Sequence, residues 1–68
     1  MSEGLANRLR ELRDAKGWTQ ADLAARIGVS RKTINTIENG VFVPSTVIAL
    51  RLARAFGRTV EQVFSLDE

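Results

Sequence analysis

Four polar residues in the segment 31–38 have the chemistry to hydrogen-bond with the edges of nucleic-acid bases. A helix would bring them onto one face: Arg31, Lys32, Asn35 and Thr36. That face lies opposite Ile34 and Ile37 and contains no carboxylate. Cationic side chains suit the acceptors of guanine, a carboxamide suits adenine, and a threonine methyl group suits thymine. Most polar helix faces are simply solvated. Whether this face reads bases or is only solvated therefore depends on the elements that position it.

The segment 19–40 predicts two short helices joined by a tight turn. Thr19 is a good N-cap, and Asp22 follows where its side chain can bond back to the cap. The first helix has one apolar face: Leu23, Ala24 and Ile27. Gly28 supplies the left-handed conformation that a sharp turn needs, and Ser30 caps the second helix. DNA-binding proteins use such a helix–glycine–helix unit, which favours base reading over a merely solvated face.

The rest of the chain predicts three further helices. Three leucines recur at helical spacing near the N-terminus: Leu5, Leu9 and Leu12. A fourth helix runs from about Ser45 to Phe56, and Thr59–Gln62 is a capping-box pattern that begins a short fifth one. Trp18 is expected to pack in the core, and no segment is a convincing strand. The sequence therefore predicts an all-α fold, a compact bundle of about five short helices in one domain, 1–68, with the helix-turn-helix at 19–38.

Composition excludes several classes of function. The chain has 68 residues with no cysteine and no histidine, which removes disulfides, thiolate metal sites and the commonest general base. It shows no paired acids, no nucleophile–base set and no phosphate-binding loop, so it is not expected to be an enzyme. No metal, cofactor or small-molecule ligand is expected. No apolar run approaches a membrane span or a signal peptide, so a cytoplasmic protein without membrane association is expected.

The charge distribution favours a polyanionic partner. The formal net charge is +2, but residues 1–58 carry ten cations against five anions because three acids lie after residue 58. A modestly basic body attracts nucleic acid.

The segment 19–40 resembles the helix-turn-helix of the lambda-repressor and Cro-like (XRE-type) family of bacterial and phage regulators. The matching positions are Gln20, Leu23–Ala24, Ile27–Ser30, Ile34 and Ile37–Gly40. Further matches at Arg13, Pro44–Ser45, Leu52–Ala53, Phe56–Gly57 and Val63–Phe64 extend the resemblance over nearly the whole chain. The resemblance implies a lambda-repressor-like domain that binds double-stranded DNA and regulates transcription, most simply as a repressor.

The resemblance also implies roles for individual residues. Arg31, Lys32 and Thr36 would read base edges from the recognition helix, with Asn35 beside them. Four residues would contact the DNA backbone: Gln20, Ser30, Thr33 and Asn39. Arg13 would form a partly buried ion pair with Glu38, although two unrelated surface charges are the alternative.

A homodimer on a pseudo-palindromic operator is expected, because a domain of this size has a marginal core. The last helix would supply the dimer interface: Val60, Val63 and Phe64. Val47 and Leu50 form an alternative seam. A protein-interaction module that keeps the fold without binding DNA is the competing function. Within DNA binding, a phage-type repressor, a restriction–modification controller and an antitoxin remain open.

Overall fold

A computed structural model describes residues 4–67, so residues 1–3 and 68 of the predicted domain lie outside the described part. It contains five helices and one two-stranded antiparallel sheet, which confirms the helical bundle and adds a minor sheet. The elements in chain order are β1 Gly4–Asn7, α1 Leu9–Lys16, α2 Gln20–Ile27, α3 Arg31–Glu38, α4 Thr46–Phe56, α5 Val60–Val63 and β2 Phe64–Asp67. None of the helices within 4–67 is both long and apolar enough to cross a membrane.

The predicted caps set the helix boundaries. Thr19 and Asp22 form a reciprocal capping box at the start of α2, which satisfies backbone groups that a helix end leaves unpaired. The Ser30 hydroxyl accepts a hydrogen bond from the Thr33 N–H at the start of α3. Between the two helices Gly28 adopts φ 75° and ψ 36°, a left-handed conformation that costs glycine little. The chain therefore reverses within a few residues, and α3 packs directly against α2.

One apolar face of each helix forms the core. Its buried members are Leu9, Leu12, Leu23, Ala24, Ile27, Ile34, Ile37, Leu52, Ala53, Phe56, Val63 and Phe64. Trp18 is half-buried against this core, as expected, with its ring stacked on Phe56 at a centroid distance of 5.6 Å. The Arg26 guanidinium covers the indole at 4.0 Å from the ring centroid, a geometry in which the cation is attracted to the ring.

The prediction that no segment forms a strand is wrong, as is the inclusion of Leu5 in the first helix. β1 pairs with β2 from Gly4↔Asp67 to Asn7↔Phe64, and α1 begins only at Leu9. The Asn7 carboxamide accepts a hydrogen bond from the Leu9 N–H at 3.1 Å and donates one to the Ile37 carbonyl at 2.9 Å. These bonds lie where the extended segment ends. Leu5 therefore belongs to β1, and its side chain is partly buried against the core.

The sheet also corrects the predicted dimer interface. Val63 and Phe64 are 0% and 7% exposed and belong to the core, so they cannot form an exposed seam. Phe64 lies in β2 beside Asn7 of β1, a pairing that the sequence did not reveal, whereas Val63 ends α5, which packs against α4. Val60 remains half-buried at the surface, while Val47 and Leu50 of the alternative seam are 56% and 55% exposed.

Candidate nucleic-acid interface

The two helices α2 and α3 fix which face of α3 meets solvent. Ile34 and Ile37 are 0% and 1% exposed, and they hold α3 against α2. Helical geometry then turns Arg31, Lys32 and Asn35 outward, and all three are exposed. The structure therefore brings these predicted base-reading residues onto one surface.

The two cations on this surface are placed against the electrostatic preference of the helix. Arg31 and Lys32 occupy the first turn of α3, which holds no acidic residue. The positive end of the helix dipole disfavours a cation there by about 0.3–1 kcal/mol. Within residues 4–67 neither side chain makes an ion pair or a hydrogen bond. Such a local conflict is expected at a site that serves binding rather than stability.

The hydroxyl groups near α3 are engaged within the protein. The Ser30 and Thr33 hydroxyls lie 2.9 Å apart, and either can donate to the other. The Thr36 hydroxyl donates to the Thr33 carbonyl at 2.9 Å and is partly buried. Thr36 is therefore better suited to apolar contact through its methyl group than to donation of a hydrogen bond.

Three carboxamides join α2 to α3. The Gln20 Nε2 donates to the Asn35 Oδ1 at 3.3 Å and to the Glu38 Oε1 at 3.1 Å. The Asn39 Nδ2 also donates to the Asn35 Oδ1, at 3.2 Å. A carboxamide nitrogen has two hydrogens, so both donors of Gln20 are used. A phosphate contact by this side chain would displace one of these bonds, whereas the Gln20 backbone N–H lies in the first turn of α2, where no helical carbonyl accepts it.

The ion pair expected between Arg13 and Glu38 is present. The Arg13 Nε and Nη2 donate to the two carboxylate oxygens of Glu38 at 2.8 and 3.3 Å, and the Arg13 Nη1 donates to the Trp18 carbonyl at 2.9 Å. The Glu38 side chain is only 3% exposed. Burial raises the pKa of the Glu38 carboxyl, but hydrogen bonds from Arg13 and Gln20 and the positive charge of Arg13 outweigh it, so the pKa lies below the usual range. Glu38 is therefore an ionised acceptor at neutral pH.

The carboxamide cluster was not predicted as a unit. The spacing of Asn35 and Asn39, one helical turn apart, was visible in the sequence. The connection to Gln20 required the packing of α2 on α3. Arg10, whose Nε lies 3.9 Å from the Glu38 Oε1, was likewise not predicted as a neighbour of the pair.

Comparison with known proteins identifies the family. Residues 9–63 match the helix-turn-helix family. The chain belongs to that family, in its lambda-repressor-like (XRE-type) branch. It is 49% identical over 61 residues to an HTH-type transcriptional regulator of Methanothermobacter thermautotrophicus, covering 88% of each chain. It is also 41% identical over 64 residues to the HTH-type transcriptional regulator YgzD of Bacillus subtilis, covering 94% of this chain and 97% of YgzD.

The fold is similar to a solved member of the family. The restriction-modification controller protein C.AhdI from Aeromonas hydrophila superposes with a TM-score of 0.76 at 40% identity, over 81% of this chain and 83% of C.AhdI. The family match, the sequence relatives and this superposition agree with the geometry of α2 and α3. The protein is a transcriptional regulator with a helix-turn-helix DNA-binding domain.

Proposed function

We propose that the protein is a cytoplasmic repressor that binds a pseudo-palindromic operator as a homodimer and reads it with α3 in the major groove. The observation that carries this proposal is the exposed cationic surface of Arg31 and Lys32 on the second helix of the motif, where neither side chain has an ion-pair or hydrogen-bond partner among residues 4–67. A solvated surface would gain stability from an acid in this first turn, and the chain places two cations there instead.

The proposed DNA contacts differ with the chemical group that each residue offers. Arg31 and Lys32 are long enough to reach the acceptors of guanine, and Thr36 offers a methyl group to thymine. Backbone N–H groups in the first turns of α2 and α3, beside Gln20 and after Ser30, face phosphates. The second hydrogen of the Asn39 amide, and Thr33 at the edge of α3, complete the contacts that set register.

A second copy of the chain is proposed to pack on α4. One surface groove is lined by Val47, Leu50 and the half-buried Val60. Val60, the one residue of the predicted interface that is not in the core, therefore lies beside the alternative seam. Burial of this apolar surface would stabilise a small domain. A two-fold dimer would set the recognition helices about 34 Å apart, one turn of DNA, and a dimer bound across a promoter would block polymerase.

Selection of bound sequences from random duplex DNA tests this function. The expected result is an inverted repeat with half-site centres about 10 base pairs apart. The positions of genomic matches then distinguish the regulatory roles, since a restriction–modification controller should have its site beside restriction–modification genes and a phage-type repressor beside phage genes. Sedimentation with and without the selected duplex gives the stoichiometry. A protein that enriches no sequence, or binds with one copy per site, contradicts the proposal.

A further inference from the structure

The amide group of Asn35 has a fixed polarity in the structure. Its Oδ1 accepts hydrogen bonds from both Gln20 and Asn39. A carboxamide oxygen has two lone pairs, so its accepting capacity is filled inside the protein. Only the two hydrogens on Nδ2 remain for a ligand, and Asn35 lies exposed on the same face of α3 as Arg31.

The buried ion pair sets this polarity. Glu38 is ionised by its bonds to Arg13 and can only accept. The Gln20 nitrogen, rather than its oxygen, must therefore face Glu38, and the same nitrogen lies 3.3 Å from Asn35. A donor directed at Asn35 requires the Asn35 oxygen to point inward. The series of hydrogen bonds from Arg13 through Glu38 and Gln20 thus determines that Asn35 directs its amide hydrogens outward.

We propose that Asn35 is a specificity-determining residue that presents only donors to the major groove and thereby selects guanine over adenine and cytosine. The inference rests on the proposed function and deepens it. An asparagine recognises adenine by accepting from N6 and donating to N7 together, and here the acceptor is occupied. Guanine presents two acceptors, O6 and N7, which the free Nδ2 can meet without breaking an internal bond. Adenine presents one acceptor beside a donor, and cytosine presents only a donor.

The test compares base preference at one operator position across variants. Duplexes randomised at each position of the selected site locate the position at which Asn35→Ala loses preference. At that position the wild type should prefer guanine to adenine about three- to tenfold, the range for one hydrogen bond. Asn35→Asp replaces the donor by an acceptor and should reverse the preference towards cytosine or adenine. The ratio within each protein is the readout, so a general loss of affinity from the added charge does not affect it.

Two further variants separate base preference at this position from general changes in DNA affinity. Gln20→Ala frees a lone pair on Asn35 while keeping the backbone N–H, so the preference for guanine over adenine at the same position should fall, whatever the change in overall affinity. Lys32→Ala is the matched control on α3, and it should lower affinity while leaving the preference at the Asn35 position unchanged. Thermal unfolding verifies that each variant is folded.

The free protein offers a measurement that does not involve DNA. By side-chain amide NMR, the Gln20 amide hydrogens should exchange with water more slowly than those of Asn35. A wild-type preference for adenine at the Asn35 position, no position changed by Asn35→Ala, or faster exchange at Gln20 overturns the inference and leaves the proposed function standing. Absence of any sequence preference in the wild type refutes the proposed function, and the inference with it.

Discussion

Replacement of Arg13 by methionine should destabilise the domain more than any surface substitution. Methionine keeps most of the aliphatic stem, so the change removes the charge and its hydrogen bonds rather than packing. Arg13 is 12% and Glu38 3% exposed, and at an effective dielectric constant of about 20 two unit charges about 4 Å apart attract by about 4 kcal/mol. Without Arg13 the buried carboxylate loses two donors, a type of change that costs about 3–5 kcal/mol.

The structure places the expected loss near the lower end of that range, at about 3 kcal/mol. Glu38 would still accept from Gln20 at 3.1 Å, and the Arg10 Nε lies 3.9 Å from its Oε1. Glu38→Leu should cost less, about 2 kcal/mol, because Arg13 is less buried and keeps its bond to the Trp18 carbonyl. The double variant should lose about 2 rather than about 5 kcal/mol, since neither charge is then left unpaired.

Urea unfolding of the four proteins at one protein concentration measures this coupling. Far-ultraviolet circular dichroism follows the helices, and fluorescence of Trp18, the one tryptophan in the chain, follows the neighbourhood of the pair. A domain of this size is stabilised by about 3–10 kcal/mol in total, so an osmolyte added equally to all samples keeps Arg13→Met folded. A coupling energy within error of zero would refute the role of the pair.

Three further predictions follow from the same structure. Because the folded-state pKa of Glu38 is lowered, its contribution to stability is complete above about pH 4.5 and is lost as pH falls through the folded-state value. The free energy of unfolding should therefore decrease less steeply with falling pH in Arg13→Met than in the wild type. Arg31→Ala should cost about 1–3 kcal/mol on the selected operator and flatten preference at one position per half-site; equal weakening on a scrambled duplex, with a salt slope reduced by about one, would reassign Arg31 to a phosphate. Val47→Asp should yield a folded monomer by sedimentation, whereas Val63→Asp should unfold the chain because that side chain is buried; an intact Val47→Asp dimer would exclude the α4 seam.

Local sequence signals predicted the elements that position the site. Thr19, Ser30 and Gly28 act through neighbours within a few residues, so the helix caps and the left-handed turn were visible without tertiary information. The sheet was not, because β1 and β2 are four residues each and lie at opposite ends of the chain. A pattern within one segment does not show its partner, and the missing sheet also led to the wrong placement of Phe64, which lies in β2 beside β1.

The same distinction holds within the site. The exposure of Arg31 and Lys32 followed from helical periodicity, and the pairing of Arg13 with Glu38 followed from the resemblance to the family. The polarity of Asn35 required a chain of contacts across three helices. Residue type alone favoured adenine there, since an isolated asparagine offers both a donor and an acceptor.

The ion pair therefore connects stability to specificity through one carboxylate. Apolar replacement of a buried ion pair is often neutral or stabilising, so stability alone does not explain why a small domain buries Glu38. On the proposal made for Asn35, the carboxylate has a second role, because it fixes the Gln20 donor that holds the Asn35 oxygen inward. An apolar pair at positions 13 and 38 would keep the core and free Gln20 to rotate. The double variant, which should be more stable than Arg13→Met, should then still lose the guanine preference at the Asn35 position, which separates a structural role of the pair from its role in base selection.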